Sequence, residues 1–232
     1  MKRVTFALTF VVAFAAALAS TVPMSIALTS IGADQVGVSA AHVSGSIWNG
    51  RLEAAQYRGM PLGDVVAALD PWALVAGTRR LAARGVFGRA TLVQGDARGF
   101  EMADAAIEIQ HLRPSLPLTG EVRLESVTLM FAGDRCSRAE GRIATDILKR
   151  AFNGPEVTGT LSCAGDAAVA QLEGRAQDAQ VGIALRLDAA GHYQVETRVV
   201  SANPVVRGAL ALAGFSENGD GFTRSDEGML GT

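Results

Sequence analysis

The stretch VRLESVTLMF, Val122 to Phe131, decides the fold class. Successive side chains of a strand point to opposite faces, so Val122, Leu124, Ser126, Thr128 and Met130 share one side. Arg123, Glu125, Val127, Leu129 and Phe131 share the other. The second half is apolar on both faces, as in a central strand or one packed on both sides. Similar runs lie around it: RATLVQG, AAIEIQHL, EVTGTLSC, AAVAQLEG, AQVGIALRLD and YQVETRVV. They recur roughly every ten residues with turn signals between, the pattern of an antiparallel meander. Asp188-Ala-Ala-Gly191 reads as a hairpin turn between two of them.

Helical patterns are few. A helical turn is predicted around DPWALVAG, within Pro61 to Ala76, and TDILKRAFNG ends in Asn153-Gly154 as a helix C-terminus does. The strongest helix runs from Asn203 to Gly214. Asparagine caps it, Pro204 is tolerated at the first helical position, and glycine stops it. The Ser216–Glu227 stretch that follows, SENGDGFTRSDE, puts Asn218, Asp220, Gly221 and Glu227 at the third, fifth, sixth and twelfth places of a calcium loop, the sixth being its turn glycine. However, Ser216 stands where that loop needs an aspartate and Arg224 occupies a water-ligand place, so an acidic turn leading to a C-terminal strand is the better reading.

The N-terminus carries a second kind of signal. Lys2 and Arg3 precede a run without charge that lasts until Asp34. That exceeds the roughly 20 apolar residues that cross a bilayer, and the basic pair predicts a cytoplasmic N-terminus. Ala17-Leu18-Ala19 also fits the cleavage pattern of a signal peptide. The continuation through Pro23 to Ile31 favours an anchor. The expected organisation is a cytoplasmic stub and membrane anchor (or signal peptide) over 1–31, then an exported β-rich domain over 32–232. The fold expected is mainly β: a transmembrane helix, then an antiparallel, meander-like curved sheet or sandwich with a few short helices.

Composition excludes several classes of function. The 232 residues carry 21 Lys and Arg against 23 Asp and Glu, a net charge of −2 with the charges scattered. Nucleic-acid binders need a basic stripe, which is missing. Arg79-Arg80 and Lys149-Arg150 are basic pairs suited to acidic lipid headgroups or a partner's carboxylates, although most such pairs are simply solvated. His42, His111 and His192 stand isolated from metal-ligand spacings, and no nucleophile elbow, phosphate loop or dinucleotide fingerprint occurs. No catalytic, cofactor or metal site is therefore expected, and the chain reads as a non-enzyme. Only Cys136 and Cys163 are present. In an oxidising compartment they form one disulfide most simply, with two buried thiols as the alternative.

One of the two tryptophans sits in GSIWNGRL, Gly45 to Leu52, which offers no acid, base or nucleophile set. Trp48 is expected to be a packing residue on a strand between glycine turns. VSGSIWNGRL followed by PLGDVVAALDPWALVAGTRRLAARGVFG resembles the type II secretion system protein N family. Gly45, Trp48, Gly50, Leu62, Gly63, Pro71, Leu74, Gly77 and Arg79 occupy the places of its pattern. Asp70 departs from it, standing where a more apolar segment is usual. Gly45, Trp48, Gly50, Pro71 and Trp72 are taken as structural residues of this region.

The resemblance implies a single-pass inner-membrane protein with a periplasmic β-rich domain. It would be an accessory component of the machine that exports folded proteins across the outer membrane, with other secretion subunits as partners. The competing reading is a periplasmic lipid-binding or lipid-transfer module with an apolar β groove.

Overall fold

The structure, a computed structural model, describes residues 20–30, 37–57, 60–108, 120–147, 149, 154–176 and 179–229. The run ahead of Ser20, His111, Arg150, the end of AAIEIQHL and half of TDILKRAFNG, including Asn153, lie outside the described residues. No helix among the described residues is long and apolar enough to cross a membrane. The chain divides into two compact units, Met1–Val86 and Phe87–Thr232. Each is built on an open antiparallel sheet, and the sandwich alternative is not the one adopted.

The first unit contains α1 (Met24–Ser30), β1 (Val38–Ser39), β2 (His42–Ser46), β3 (Asn49–Tyr57), β4 (Met60–Leu69), α2 (Pro71–Val75) and β5 (Arg79–Gly85). β3 pairs with β4, and β4 with β5, while β1 and β2 share the other edge of β3. Ile47 and Trp48 form the two-residue turn between β2 and β3, with Gly45 opposite Gly50 and Ser46 opposite Asn49. Trp48 thus lies half-buried in the turn itself and not on a strand. Glycine is required at position 45, where φ is +80° and a Cβ would stand 2.3 Å from the Asn49 carbonyl oxygen.

This tip is held from both sides. Ile47 N–H donates to the Val22 carbonyl at 3.0 Å, and Leu69 N–H donates to the Ile47 carbonyl at 2.9 Å. Met24, only 3% exposed, packs where a side chain on Gly50 would otherwise stand. Residues 20–30, assigned from sequence to the membrane anchor, are therefore folded onto the first hairpin as far as they are described. The helical turn expected within Pro61 to Ala76 is confined to α2, and the residues before it form β4. Asp70 explains its departure from the family pattern. Its carboxylate accepts from Trp72 N–H at 2.9 Å and Ala73 N–H at 3.3 Å, capping α2, and Pro71 takes the first turn.

The second unit contains β6 (Gly88–Gln94), β7 (Ala97–Glu108), β8 (Glu121–Ala132), β9 (Arg135–Thr145), β10 (Val157–Ala164), β11 (Ala167–Arg175), β12 (Ala179–Leu187), β13 (His192–Ser201), α3 (Pro204–Leu212), β14 (Ser216–Asn218) and β15 (Gly221–Met229). The strands pair in sequence order from β6 to β13. β15 then joins β13, and β14 lies outermost. The predicted meander is present, and each strand run quoted above from this unit lies on one of its strands as far as it is described.

The sheet of this unit curves, and the cause is local. Met102 and Ser126 adopt φ of +51° and +50°, where non-glycine residues are strained. Each sits at a break in the β7–β8 or β8–β9 register. Met102 N–H donates to Thr128 Oγ1 at 3.3 Å, and Ser126 N–H donates to Asp104 Oδ1 at 2.7 Å. Side chains of neighbouring strands therefore satisfy the amides that the bulges remove from the ladder, and bulges bend the strand that carries them.

Two apolar clusters fill the curve. Val157, Ala170, Leu172, Val181 and Val199 form the larger one, with Leu210 of α3 and Phe215 packed against it. Leu129, Phe131 and Ala168 form the second, with Leu187 beside them. Strands that are not neighbours in the sheet thus share one cluster. That explains why Val127 to Phe131 is buried on both faces, as its pattern predicted. Cys136 and Cys163 are joined by a disulfide that ties β9 to β10, with Cα atoms 5.6 Å apart. The β9–β10 ladder described stops at Arg142 opposite Thr160, so the disulfide closes the pair beyond its last paired residues.

Candidate interaction surfaces

The residues singled out in the sequence fall into two places. Gly45, Trp48 and Gly50 surround the first hairpin tip, and Pro71 and Trp72 follow directly from the Leu69 bond to that tip. Trp72, however, is 81% exposed. The cysteine pair lies in the second unit and stiffens its sheet.

At the C-terminal end of the second unit, Asn203 Oδ1 accepts from Val205 N–H at 2.9 Å, which starts α3 where the sequence predicts it. Gly214 ends it, with φ of +81°. Leu210 turns inward, whereas Val205 and Leu212 stand 78% and 92% exposed. Arg207 lies over the Phe222 ring, 5.6 Å from its centre, and pairs with Glu217. α3 is thus tethered to β14 and β15 while part of its apolar surface faces outward.

The stretch measured against a calcium loop is the β14–β15 hairpin. Three of its four acids are engaged by arginines: Glu217 with Arg207, Asp220 with Arg198 at 2.9 Å, and Asp226 with Arg224 at 3.0 Å. Among the described residues, no group of three or more His, Cys, Asp or Glu side chains is placed to hold a metal ion. β14 covers the outer edge of β15 only at Gly221–Thr223. No strand of the described residues pairs with the remainder, Ser225 to Gly228, which leaves a strand edge that can accept a further strand.

An open depression of about 650 Å³ lies at the other end of these strands, lined by Arg186, Asp188, His192, Tyr193 and Glu227 among others. Asp188 organises its hairpin: Oδ1 accepts from the Ala190 and His192 amides, each at 2.9 Å, and Oδ2 lies 3.0 Å from His192 Nδ1. Partial desolvation pushes the Asp188 carboxyl up. The hydrogen bonds from the His192 amide and ring, the His192 charge and the Ala190 amide outweigh that, so it sits below the usual aspartate value. Arg186 is turned away to Asp166 at 2.7 Å. His42 is exposed on β2.

Sequence reasoning missed the outward face of α3 and the free edge of β15. The signal for the first was present: an Asn-Pro cap followed by PVVRGALAL, which carries too many apolar residues for one buried stripe. The second has no sequence signal, because pairing partners are decided by topology.

No curated protein and no solved structure matches the chain. A family model described as type II secretion system (T2SS), protein N matches residues 36–225, a span that includes the first hairpin and runs into the first half of β15. The chain belongs to the type II secretion system protein N family.

Proposed function

We propose that this protein is an accessory, inner-membrane-anchored component of the type II secretion apparatus, and that its periplasmic β domain works by binding other subunits and not by catalysis. Membership of the family carries the reading, since it implies a component of that machine with its other subunits as partners. The surfaces described above support the mode of action. The outer edge of β15 offers backbone donors and acceptors to an incoming strand, and the outward face of α3 offers Val205 and Leu212 as apolar anchors beside it. The N-terminal Lys2-Arg3 pair and the uncharged run ahead of Ser20 support the anchor and its orientation.

The test is complementation in a host that uses a type II system. Deleting the gene and restoring the full chain should recover export of the machine's substrates. A Val205→Asp/Leu212→Asp double variant that accumulates normally should restore little or none of it. Full recovery by that variant would remove α3 from the mechanism, and unimpaired export in the deletion strain would overturn the proposed role.

A further inference from the structure

Unit one is joined to the apolar N-terminal run with almost no linker. The part of the uncharged run ahead of the described residues, Val4 to Ala19, holds 16 residues, which would span about 24 Å if helical, against a hydrocarbon core about 30 Å thick. A bilayer-crossing helix of that length would leave no residue spare for a tether. Only Ser20 and Thr21 separate the run from Val22, whose carbonyl is already hydrogen-bonded to the hairpin tip. Residues reach at most about 3.6 Å each, and the headgroup zone is roughly 5–8 Å thick on each side. If the run is held in a bilayer, the tip at Ile47 and Trp48 is held at its surface.

Val22, Ile47 and Leu69 lie side by side through their two backbone hydrogen bonds, so neighbouring-strand spacing puts Leu69 within about 10 Å of Val22. α2 starts two residues later. Its Trp72 and Val75 are three positions apart and share a face, and they are 81% and 83% exposed. Ile26 of α1, 56% exposed, belongs to the segment that enters directly from the run. Arg79 opens β5 just beyond α2 and is exposed. A tryptophan beside aliphatic residues, with an arginine close by, is the composition that sits at a bilayer interface, with the indole at headgroup level and the cation against acidic lipid.

We infer that α2, through Trp72 and Val75, docks into the anionic phospholipid surface of the membrane that holds this chain's own N-terminal run. The inference rests on the anchored reading above and adds to it a second, peripheral contact. It would fix how unit one is presented to the membrane.

The test uses the full chain reconstituted into phosphatidylethanolamine–phosphatidylglycerol vesicles, with and without lipid carrying a nitroxide at the headgroup. Trp48 and Trp72 are the two tryptophans, so a Trp48→Phe variant reports Trp72 alone. Subtracting the Trp72→Phe spectrum from that of the parent gives the same signal without altering Trp48. The expected result is flotation with the vesicles after alkaline washing, blue-shifted Trp72 emission and at least twofold quenching by the labelled lipid. Flotation with water-like, unquenched Trp72 emission would overturn the docking and leave the anchor standing. Failure to float would overturn the anchored reading and the docking with it.

Discussion

Replacing Cys136 and Cys163 together by serine removes the cross-link between β9 and β10 and keeps similar side-chain volume. The two residues are 27 apart in sequence. Closing a loop of that length restricts the unfolded chain enough to account for about 3.5 kcal/mol of stability at 25 °C in the chain-entropy model. The Cα separation of 5.6 Å lies within the range that a disulfide spans without backbone movement, so little of that should be lost to distortion. The site is also structurally exposed to the loss. The described ladder between these strands ends at Arg142 and Thr160, and Cys136 packs beside the Leu129, Phe131 and Ala168 cluster. Urea unfolding of the full chain, followed by far-ultraviolet circular dichroism, should show a loss of about 3–4 kcal/mol. Amide exchange in Leu161 to Cys163 should accelerate by roughly two to three orders of magnitude, the same energy expressed as an opening equilibrium. Reductant should reproduce both effects in the parent and neither in the variant. A loss below about 1 kcal/mol, with exchange unchanged, would refute the loop-closure reasoning.

Three further outcomes are expected. Gly159→Ala puts a Cβ 2.0 Å from the Gln171 carbonyl oxygen, a backbone atom in the neighbouring strand. It should cost about 2–3 kcal/mol or prevent folding, read from the urea midpoint. Asp70→Ala removes the carboxylate that accepts two amides at the start of α2 and should cost about 1 kcal/mol, checked by faster amide exchange at Trp72 and Ala73. Asp104 is held below its ordinary value of 3.8 by the Ser126 amide first and the Arg89 side chain second. A lowered native pKa gives stability that is present above about pH 4 and lost as pH falls through the native value. Asp104→Asn should therefore flatten the acid limb of the stability profile below pH 4, and an unchanged limb would exclude this carboxylate as a contributor.

The meander was legible because most strands of unit two keep strict alternation between glycine or aspartate turns. In β11 and β12, Ala168, Ala170, Leu172, Val181, Ile183 and Leu185 all face one way. α3 was legible for a different reason, since its cap and its stop are local chemistry. β9 was harder to read: RCSRAEGRIAT is half exposed along most of its length and gives no apolar period. β7 loses its period at Met102, where the bulge shifts every later side chain to the other face. Nothing about Ala54, Met102 or Ser126 as residue types announces a positive φ. The signals lie on the partner strands, in Asp64, Thr128 and Asp104, whose side chains accept the displaced amides. Trp48 was placed in the right neighbourhood but on the wrong element, because an Ile-Trp turn lacks the Asn-Gly chemistry that usually marks a two-residue hairpin. The candidate surfaces were the least legible part, since exposure of an apolar helix face and freedom of a strand edge depend on what the rest of the chain leaves uncovered.

The central claim is that the β domain acts by touching other secretion subunits, and in-cell photo-crosslinking tests it most directly. A photoreactive residue would be placed singly at Val205, Leu212, Ser225 and Glu227 in the full chain, with Gln171 on the exposed face of β11 as a reference position. After irradiation, mass spectrometry would identify the adducts. The account predicts adducts to other type II secretion subunits at the α3 and β15 positions and few at the reference. Lipid adducts at these positions, or subunit adducts no more frequent there than at Gln171, would contradict it.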